Sequence, residues 1–326
     1  MLISPFDPGQ QPEAVRALLC GRLRLIREPY FGIIAPEAFD RFDFSRDMET
    51  LAKAGPRVAA IVTGSTIEAI GCWTPLAWDS GQFGFPAARV DVLVAAGDYG
   101  GALQHKRQLL EALLDGCRRA GIRHLVGRVD CGDFSSIHAL ECAGFELIDG
   151  IQTLALRLPC PLPEVRAEAL EVRLFRDEDL EQVLTIARSS YIFDRFHADS
   201  AISPETADAV NEAWVRDSCA GKAAEAVLVA AQGDTVLGYV SCKIDGQTEP
   251  ALGVLLGTIV MVATSQQARA RGVARATTFA ALEWFAAQGV GIVEVGTQLR
   301  NIPAGRLYES CGFRLVRSSL TLRKLL

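Results

Sequence analysis

The chain has 326 residues but only four histidines, His105, His124, His138 and His197, and no pair of them has His-x-x-x-His spacing. A zinc site needs several converging His, Cys or carboxylate ligands, so no metal is expected. Nine cysteines are present, an odd number, and none form Cys-x-x-Cys. Scattered in this way they act as small apolar side chains and not as a disulfide framework. No apolar run reaches the roughly 18 residues of a membrane span. The longest, ALGVLLGTIVMVA at 251–263, suits a buried strand. Residues 1–14 have neither a basic opening nor a long apolar stretch, so no secretory leader is expected and the reading is cytoplasmic. Basic charge is in deficit, with a formal net charge of −6. Nucleic acid favours basic faces, so it is not expected as a partner, and without an apolar span neither is a membrane. The oligomeric state stays open between monomer and homodimer.

What remains is a globular composition, 49% hydrophobic and 22% charged, and enough length for two domains. A repeat at an offset of 168 residues supports the division. CAGFELI at 142–148 aligns with SCGFRLV at 310–316, VDVLVAA at 90–96 with TIVMVAT at 258–264, and Gly121 with Gly289. The offset holds without gaps over about fifty residues. Each half reads as strand, loop, amphipathic helix, strand, short helix and last strand. The first helix buries Leu110, Leu113, Leu114 and Cys117, and its counterpart Ala276, Phe279, Leu282 and Phe285. Gly121 and Gly289 suit helix ends. The proline-rich segment around 159–168 breaks the pattern. The expected organisation is two α/β domains, residues 1–160 and 171–326, joined by a linker at 161–170.

Against the acidic background, RARGVAR at 269–275 places three arginines and no acid in seven residues. It lies between a buried strand and a helix. The first amides of a helix are unsatisfied, and the dipole adds positive charge there. A glycine lets the backbone approach a ligand closely. Arginines add charge-assisted bonds to phosphate oxygens. The same stretch also reads as a solvated basic helix start. It has no Gly-Lys-Ser/Thr and no Gly-x-Gly-x-x-Gly.

A second segment, NIPAGRLYESCGF at 301–313, follows the next strand. Together, R-x-x-G-x-A at 269–274 and N-x-x-A-x-x-L-Y-x-x-x-G-F at 301–313 resemble the GNAT superfamily of acyl-CoA N-acyltransferases. The resemblance covers most of residues 170–326. It implies tandem GNAT-like domains, each a mixed, mostly antiparallel sheet flanked by helices. It implies acetyl-CoA as cosubstrate, with Arg269, Arg271, Gly272, Val273, Ala274 and Arg275 as the pyrophosphate loop. Val262 and Thr264 resemble the strand partners of pantetheine and the thioester carbonyl. Asn301 resembles the side chain that bonds the pantetheine arm, and Tyr308 the general acid for the leaving thiolate. Tyr308 also reads as a half-buried helix tyrosine with a satisfied hydroxyl.

The offset tests the first half. Gly272 corresponds to Gln104, Ala274 to Lys106, Asn301 to Asp133 and Tyr308 to Leu140. The expected role of residues 1–160 is therefore structural, or shaping the acceptor cleft; Lys106 and Arg107 retain some capacity for an anion. WDSGQFGFPAARVDVL at 78–93 and DRFHAD at 194–199 resemble segments of TDP-fucosamine acetyltransferase-like proteins, which acetylate a nucleotide-linked amino sugar. In SSYIFDRFHADSAI at 189–202, Tyr191 and Phe196 offer faces for a sugar or base, and Arg195 and His197 offer donors. An ordinary connection with aromatics packed inward fits the same residues. For the general base, Glu249 is the choice, with Asp245, His197 and a water relay as alternatives. Glu294 reads as a core-edge acid. The expected function is acetyl transfer to a primary amine of a small molecule. The alternatives are an acetyltransferase for a protein, amino acid or aminoglycoside-like amine, and a non-catalytic acyl-CoA sensor.

Overall fold

The computed structural model describes residues 2–21, 30–160 and 170–326. The first half of the chain forms β1 (Leu2–Pro5), α1 (Pro12–Gly21), α2 (Pro36–Ala54), β2 (Val58–Thr63), β3 (Thr66–Pro75), α3 (Ala77–Phe83), β4 (Ala87–Ala95), α4 (Tyr99–Arg119), β5 (His124–Asp130), α5 (Phe134–Cys142) and β6 (Glu146–Arg157). The second half forms β7 (Glu171–Leu174), α6 (Leu180–Ser190), α7 (Arg195–Ala198), α8 (Pro204–Cys219), β8 (Ala226–Gln232), β9 (Thr235–Asp245), α9 (Thr248–Leu252), β10 (Leu256–Thr264), α10 (Val273–Ala287), β11 (Ile292–Gln298), α11 (Ile302–Ser310) and β12 (Arg314–Leu325). Among the described residues no helix is long and apolar enough to cross a membrane.

The chain divides into two compact units. The first holds Met1–Arg27, Pro36–Gly150 and Ser318–Leu326; the second holds Glu28–Ala35 and Ile151–Arg317. In the first unit the strands run β1-β2-β3-β4-β5-β12, and only β4 and β5 are parallel. In the second they run β6-β11-β10-β9-β8-β7, and only β10 and β11 are parallel. Each is a mixed, mostly antiparallel sheet flanked by helices. A cut in sequence order at 160 and 171 differs from these units, because the last strand of each repeat pairs in the sheet of the other. Thr321 of β12 lies opposite Arg128 of β5, and Val295 of β11 lies opposite Leu154 of β6. The expected linker lies outside the described residues, apart from Leu170.

Both sheets bury both faces. In the second unit Phe279, Leu282 and Phe285 of α10 pack with Tyr308 of α11 on Val293 and Val295. Val183, Leu184 and Ile186 of α6 and Val215 of α8 pack on Met261 and Ala263 from the other side. In the first unit Leu110, Leu113, Leu114 and Cys117 of α4 fill the corresponding place, and α1 and α2 cover the opposite face. The apolar run 251–263 is not all strand. Its first residues end α9, Gly253 closes that helix at φ 72°, and the strand begins at Leu256. Thr248 fixes this turn by accepting the Leu256 amide at 2.9 Å.

Candidate active site

The site starts where two parallel strands part. β10 and β11 are paired from Leu256–Ile292 to Ile259–Val295 and no further. β10 stays paired with β9 on its other edge as far as Thr264–Gly238. The register of that ladder shifts between Ile259 and Met261, where Ser241 Oγ accepts the Met261 amide at 3.1 Å. The edge of Val260–Thr264 that faces β11 therefore has no ladder partner. Val262 and Thr264 lie on this open edge, and the buried Thr264 Oγ1 makes no hydrogen bond. An extended chain carrying amides can add to such an edge by main-chain bonding.

The arginine loop follows directly. Ala270 and Gly272 both have positive φ, 60° and 80°. A Cβ at Gly272 would meet nothing within 4 Å, so the protein requires glycine there for its backbone angle and not for a close approach of its own atoms. Gly272 is the N-cap of α10 and supplies no side-chain cap. The first intrahelical bond runs from the Ala276 amide to the Gly272 carbonyl at 2.9 Å. The amides of Val273, Ala274 and Arg275 thus stand at an uncapped helix start, where the dipole favours an anion. Arg269, Arg271 and Arg275 are exposed around it. Arg271 leans on Gln232 at 3.4 Å, and Arg275 crosses the Phe279 ring at 5.4 Å. Gly238 brings the helix start onto the sheet, since a Cβ there would lie 2.8 Å from both the Ala263 carbonyl and Val273.

α11 supplies the other wall. Asn301 is its N-cap and accepts the Ala304 amide through Oδ1 at 3.2 Å. Its Nδ2 bonds no described residue and remains a donor. One helical face further on, the Tyr308 ring is buried edge-on against Phe313, with centroids 5.8 Å apart. Among the described residues its hydroxyl makes no hydrogen bond, so the satisfied-tyrosine reading does not hold. Burial, with Cys311 adding, pushes this phenol well above its ordinary value and keeps it protonated at neutral pH. Burial also raises Tyr191; its bond to Tyr239 opposes this, and the nearby Tyr308 adds to it. The Tyr308 and Tyr191 phenols therefore share one region. Uncapped amides, arginines, an open strand edge and unspent donors at Asn301 and Tyr308 fit an acyl-CoA.

The loop after α6 is more occupied than its sequence suggests. Tyr191 Oη lies 2.9 Å from Tyr239 Oη. Phe196 is only 3% exposed and lies beneath the Arg195 guanidinium, 4.4 Å from its ring centre. His197 has both ring nitrogens engaged, Nδ1 with Asp194 at 2.8 Å and Nε2 with Asp208 at 3.1 Å. Asp194 also accepts from the Phe196 and His197 amides and from Asn211 Nδ2. Phe196 and His197 thus hold the loop together and present no free face or donor to a ligand, which corrects the sequence reading. Arg300, beside Asn301, ties this loop to α11 by donating to the Phe193 and Asp194 carbonyls at 3.0 Å each. No sequence signal singled it out.

Glu249 is exposed on α9, at the start of β10 and the length of that strand away from the arginine loop. Asp245 lies at the same end, opposite Leu256. Neither is brought to the parting of the strands. Glu294 is closer, one residue before the last β10–β11 pair, and Tyr30 Oη donates to its Oε1.

The corresponding region of the first unit is filled from within. Asp98 caps α4 by accepting the Gly101 amide at 2.9 Å, so the helix start that would meet an anion already faces a carboxylate. Lys106, 5% exposed, donates to Asp133 Oδ1 at 3.0 Å, Ser135 at 2.8 Å and Ser136 at 2.7 Å. Lys106 is thus committed internally and offers no anion site.

These features agree with what the chain is similar to. The dTDP-fucosamine acetyltransferase of Escherichia coli O6:H1 is 24% identical over 240 residues, covering 73% of this chain and 91% of that one. The mycothiol acetyltransferase of a Nocardioides species is 28% identical over 191 residues, 56% of this chain and 63% of that one. A tandem GNAT protein from the clavulanic acid biosynthesis pathway superposes with a TM-score of 0.59 at 14% identity, covering 99% of this chain and 98% of that one, and shares its fold. Residues 181–313 match the model of the acetyltransferase (GNAT) family, so the second half of the chain carries a GNAT acetyltransferase domain, and this match together with the acetyltransferase relatives supports an acyl-CoA N-acetyltransferase.

Proposed function

We propose that the chain moves the acetyl group of acetyl-CoA to a primary amine of a small molecule, an amino sugar joined to a nucleotide, with Tyr308 as general acid. The observation that carries the mechanism is the buried Tyr308 side chain, whose phenol burial holds above its ordinary value and whose hydroxyl has no hydrogen-bond partner among the described residues. The acceptor class rests on the name of the relative that covers most of the chain.

Acetyl-CoA supplies the acetyl group as a thioester. The amides of Val273, Ala274 and Arg275, with Arg269 and Arg271, hold the pyrophosphate. The open edge at Val262 and Thr264 and the Asn301 amide hold the pantetheine arm and orient the carbonyl. An edge N–H of β10 stabilises the negative charge that gathers on the carbonyl oxygen. The amine gives up a proton to water before it attacks; as the nitrogen–carbon bond forms and the carbon–sulfur bond breaks, the nitrogen loses a second proton to water, and Tyr308 gives its proton to the leaving sulfur and takes one back from solvent. The first unit serves as scaffold.

The test is release of free thiol from acetyl-CoA against a panel of amines that includes a dTDP-4-amino-4,6-dideoxyhexose, run beside Tyr308→Phe. Release with the sugar, lowered at least about tenfold by the substitution, supports acceptor and acid together. Release with another amine keeps the transferase and discards the sugar. CoA binding without release to any amine points to an acyl-CoA sensor and overturns the reading.

A further inference from the structure

Tyr30 stands ahead of the repeated region, in the opening half of the chain, yet it belongs to the second compact unit through Glu28–Ala35, which is described from Tyr30 on. Its backbone is in the left-handed region, φ 44°, which a residue with a side chain rarely adopts. Such a residue persists only where its surroundings hold it, and such places cluster at functional sites. The Ile33 amide closes on the Tyr30 carbonyl at 3.2 Å, Ile34 is fully buried, and the ring of Tyr30 is buried. The hydroxyl at the end of that ring donates to Glu294.

Glu294 lies opposite Thr258 on β10 and Ala155 on β6. Its neighbours Val293 and Val295 face α10, so the carboxylate faces the other side of the sheet, the side of Met261, Ala263 and α6. The side chains beside it on that face, Thr258 and Ala155, are small and leave room around it. It is half-buried, and among the described residues it has no ion pair and no hydrogen bond apart from the one from Tyr30. One neutral donor satisfies part of a carboxylate and leaves its charge without a counter-ion. The next residue, Val295, is the last to pair before β10 and β11 part.

We propose that Glu294 binds the ammonium group of the acceptor, and that Tyr30 is the positioning residue that fixes one carboxylate oxygen so that the other faces the incoming nitrogen. A primary amine reaches the enzyme largely as its ammonium form; Glu294, which has no counter-ion among the described residues, pairs with it beside the parting strands, and the nitrogen then gives up a proton to water before it attacks the thioester. Glu294 thereby selects amines over alcohols of the same shape. This assignment rests on the proposed transferase reading and adds the group that recognises its acceptor.

The test uses the full-length enzyme, acetyl-CoA and the amine from the panel that wild type turns over fastest. Glu294→Gln keeps shape and removes charge. It is expected to raise KM for the amine about tenfold or more while CoA affinity and the unfolding temperature stay as in wild type. Tyr30→Phe keeps the ring and removes the hydroxyl. It is expected to raise the same KM several-fold with kcat within about twofold, and to add nothing further when combined with Glu294→Gln. A KM unchanged in Glu294→Gln overturns the assignment. So does a loss of activity that tracks lost CoA binding or a lowered unfolding temperature in both variants, since that is a structural role. A wild-type enzyme that acetylates no amine while binding CoA overturns the transferase reading itself, and the acceptor role of Glu294 falls with it.

Discussion

The Lys106 ammonium lies 3.0 Å from Asp133 Oδ1, at positions that the repeat aligns with Ala274 and Asn301. Where the second unit leaves a helix start and an amide donor open, the first closes the same place with an ion pair. Burial alone would raise the Asp133 carboxyl, but the Lys106 ammonium and the bonds from Ser136 outweigh it and hold it below its ordinary value.

Removing one partner strands the other. Asp133→Ala leaves a buried ammonium uncompensated and is expected to cost about 3 kcal/mol of stability. Lys106→Met combined with Asp133→Leu is expected to cost less than that single change. Urea unfolding of the full chain compares them. Because the folded carboxyl titrates below its unfolded value, its stabilisation is complete above the unfolded value and is lost as pH falls through the folded one. The gap between wild type and Asp133→Asn should therefore shrink on acidification below about pH 4.

Gly272→Ala separates backbone angle from space. A methyl group there meets nothing, yet φ is 80°. The expected cost is about 1 kcal/mol in stability. CoA affinity should fall further than stability does, because the same residue sets the direction of the α10 amides. Calorimetric titration with CoA beside thermal unfolding checks both; equal affinity would mean that the loop backbone does not hold the phosphates.

Asn301 has two roles that its two side-chain atoms divide. Oδ1 caps α11, and Nδ2 is left for a ligand. Asn301→Asp keeps the cap and loses the donor, so its unfolding temperature should match wild type while CoA binding weakens about tenfold. Asn301→Ala should lose both, with a stability cost of about 1 kcal/mol. If Asp and Ala weaken CoA binding only in step with stability, the donor role is wrong.

The arginine loop and the order of strand and helix were legible because each rests on local chemistry, a glycine and basic residues ahead of a helix and apolar spacing; the cap that Asn301 places on α11 was not read from the sequence. Nor was the exchange of β6 and β12. CAGFELI and SCGFRLV carry the same pattern at the same place in the repeat, so nothing local tells which sheet each joins. His197 reads as a free donor because Asp208, which occupies its Nε2, is brought to it only by the packing of α7 on α8, while Nδ1 is taken by Asp194, the N-cap of its own short helix. Tyr30 was invisible for a similar reason. Its partner is 264 residues away, and it stands outside the repeat.

Arg300 carries the last prediction. Its guanidinium holds the carbonyls of Phe193 and Asp194, and its neighbour Asn301 begins the helix that presents Tyr308. Asp194 in turn gathers His197, Asn211 and two backbone amides. The loop after α6 and the helix that bears Tyr308 are thus joined through an exposed side chain. Arg300→Ala should leave the unfolding temperature within a few degrees of wild type, because the contact is exposed and surface bonds contribute little. It should nevertheless free the 191–195 backbone, raising amide hydrogen exchange there and the KM for the amine several-fold. Arg300→Lys is not a repair, since a single ammonium cannot span two carbonyls as the planar fork does. If exchange in 191–195 is unchanged while activity falls, Arg300 acts on the substrate directly and not through the loop.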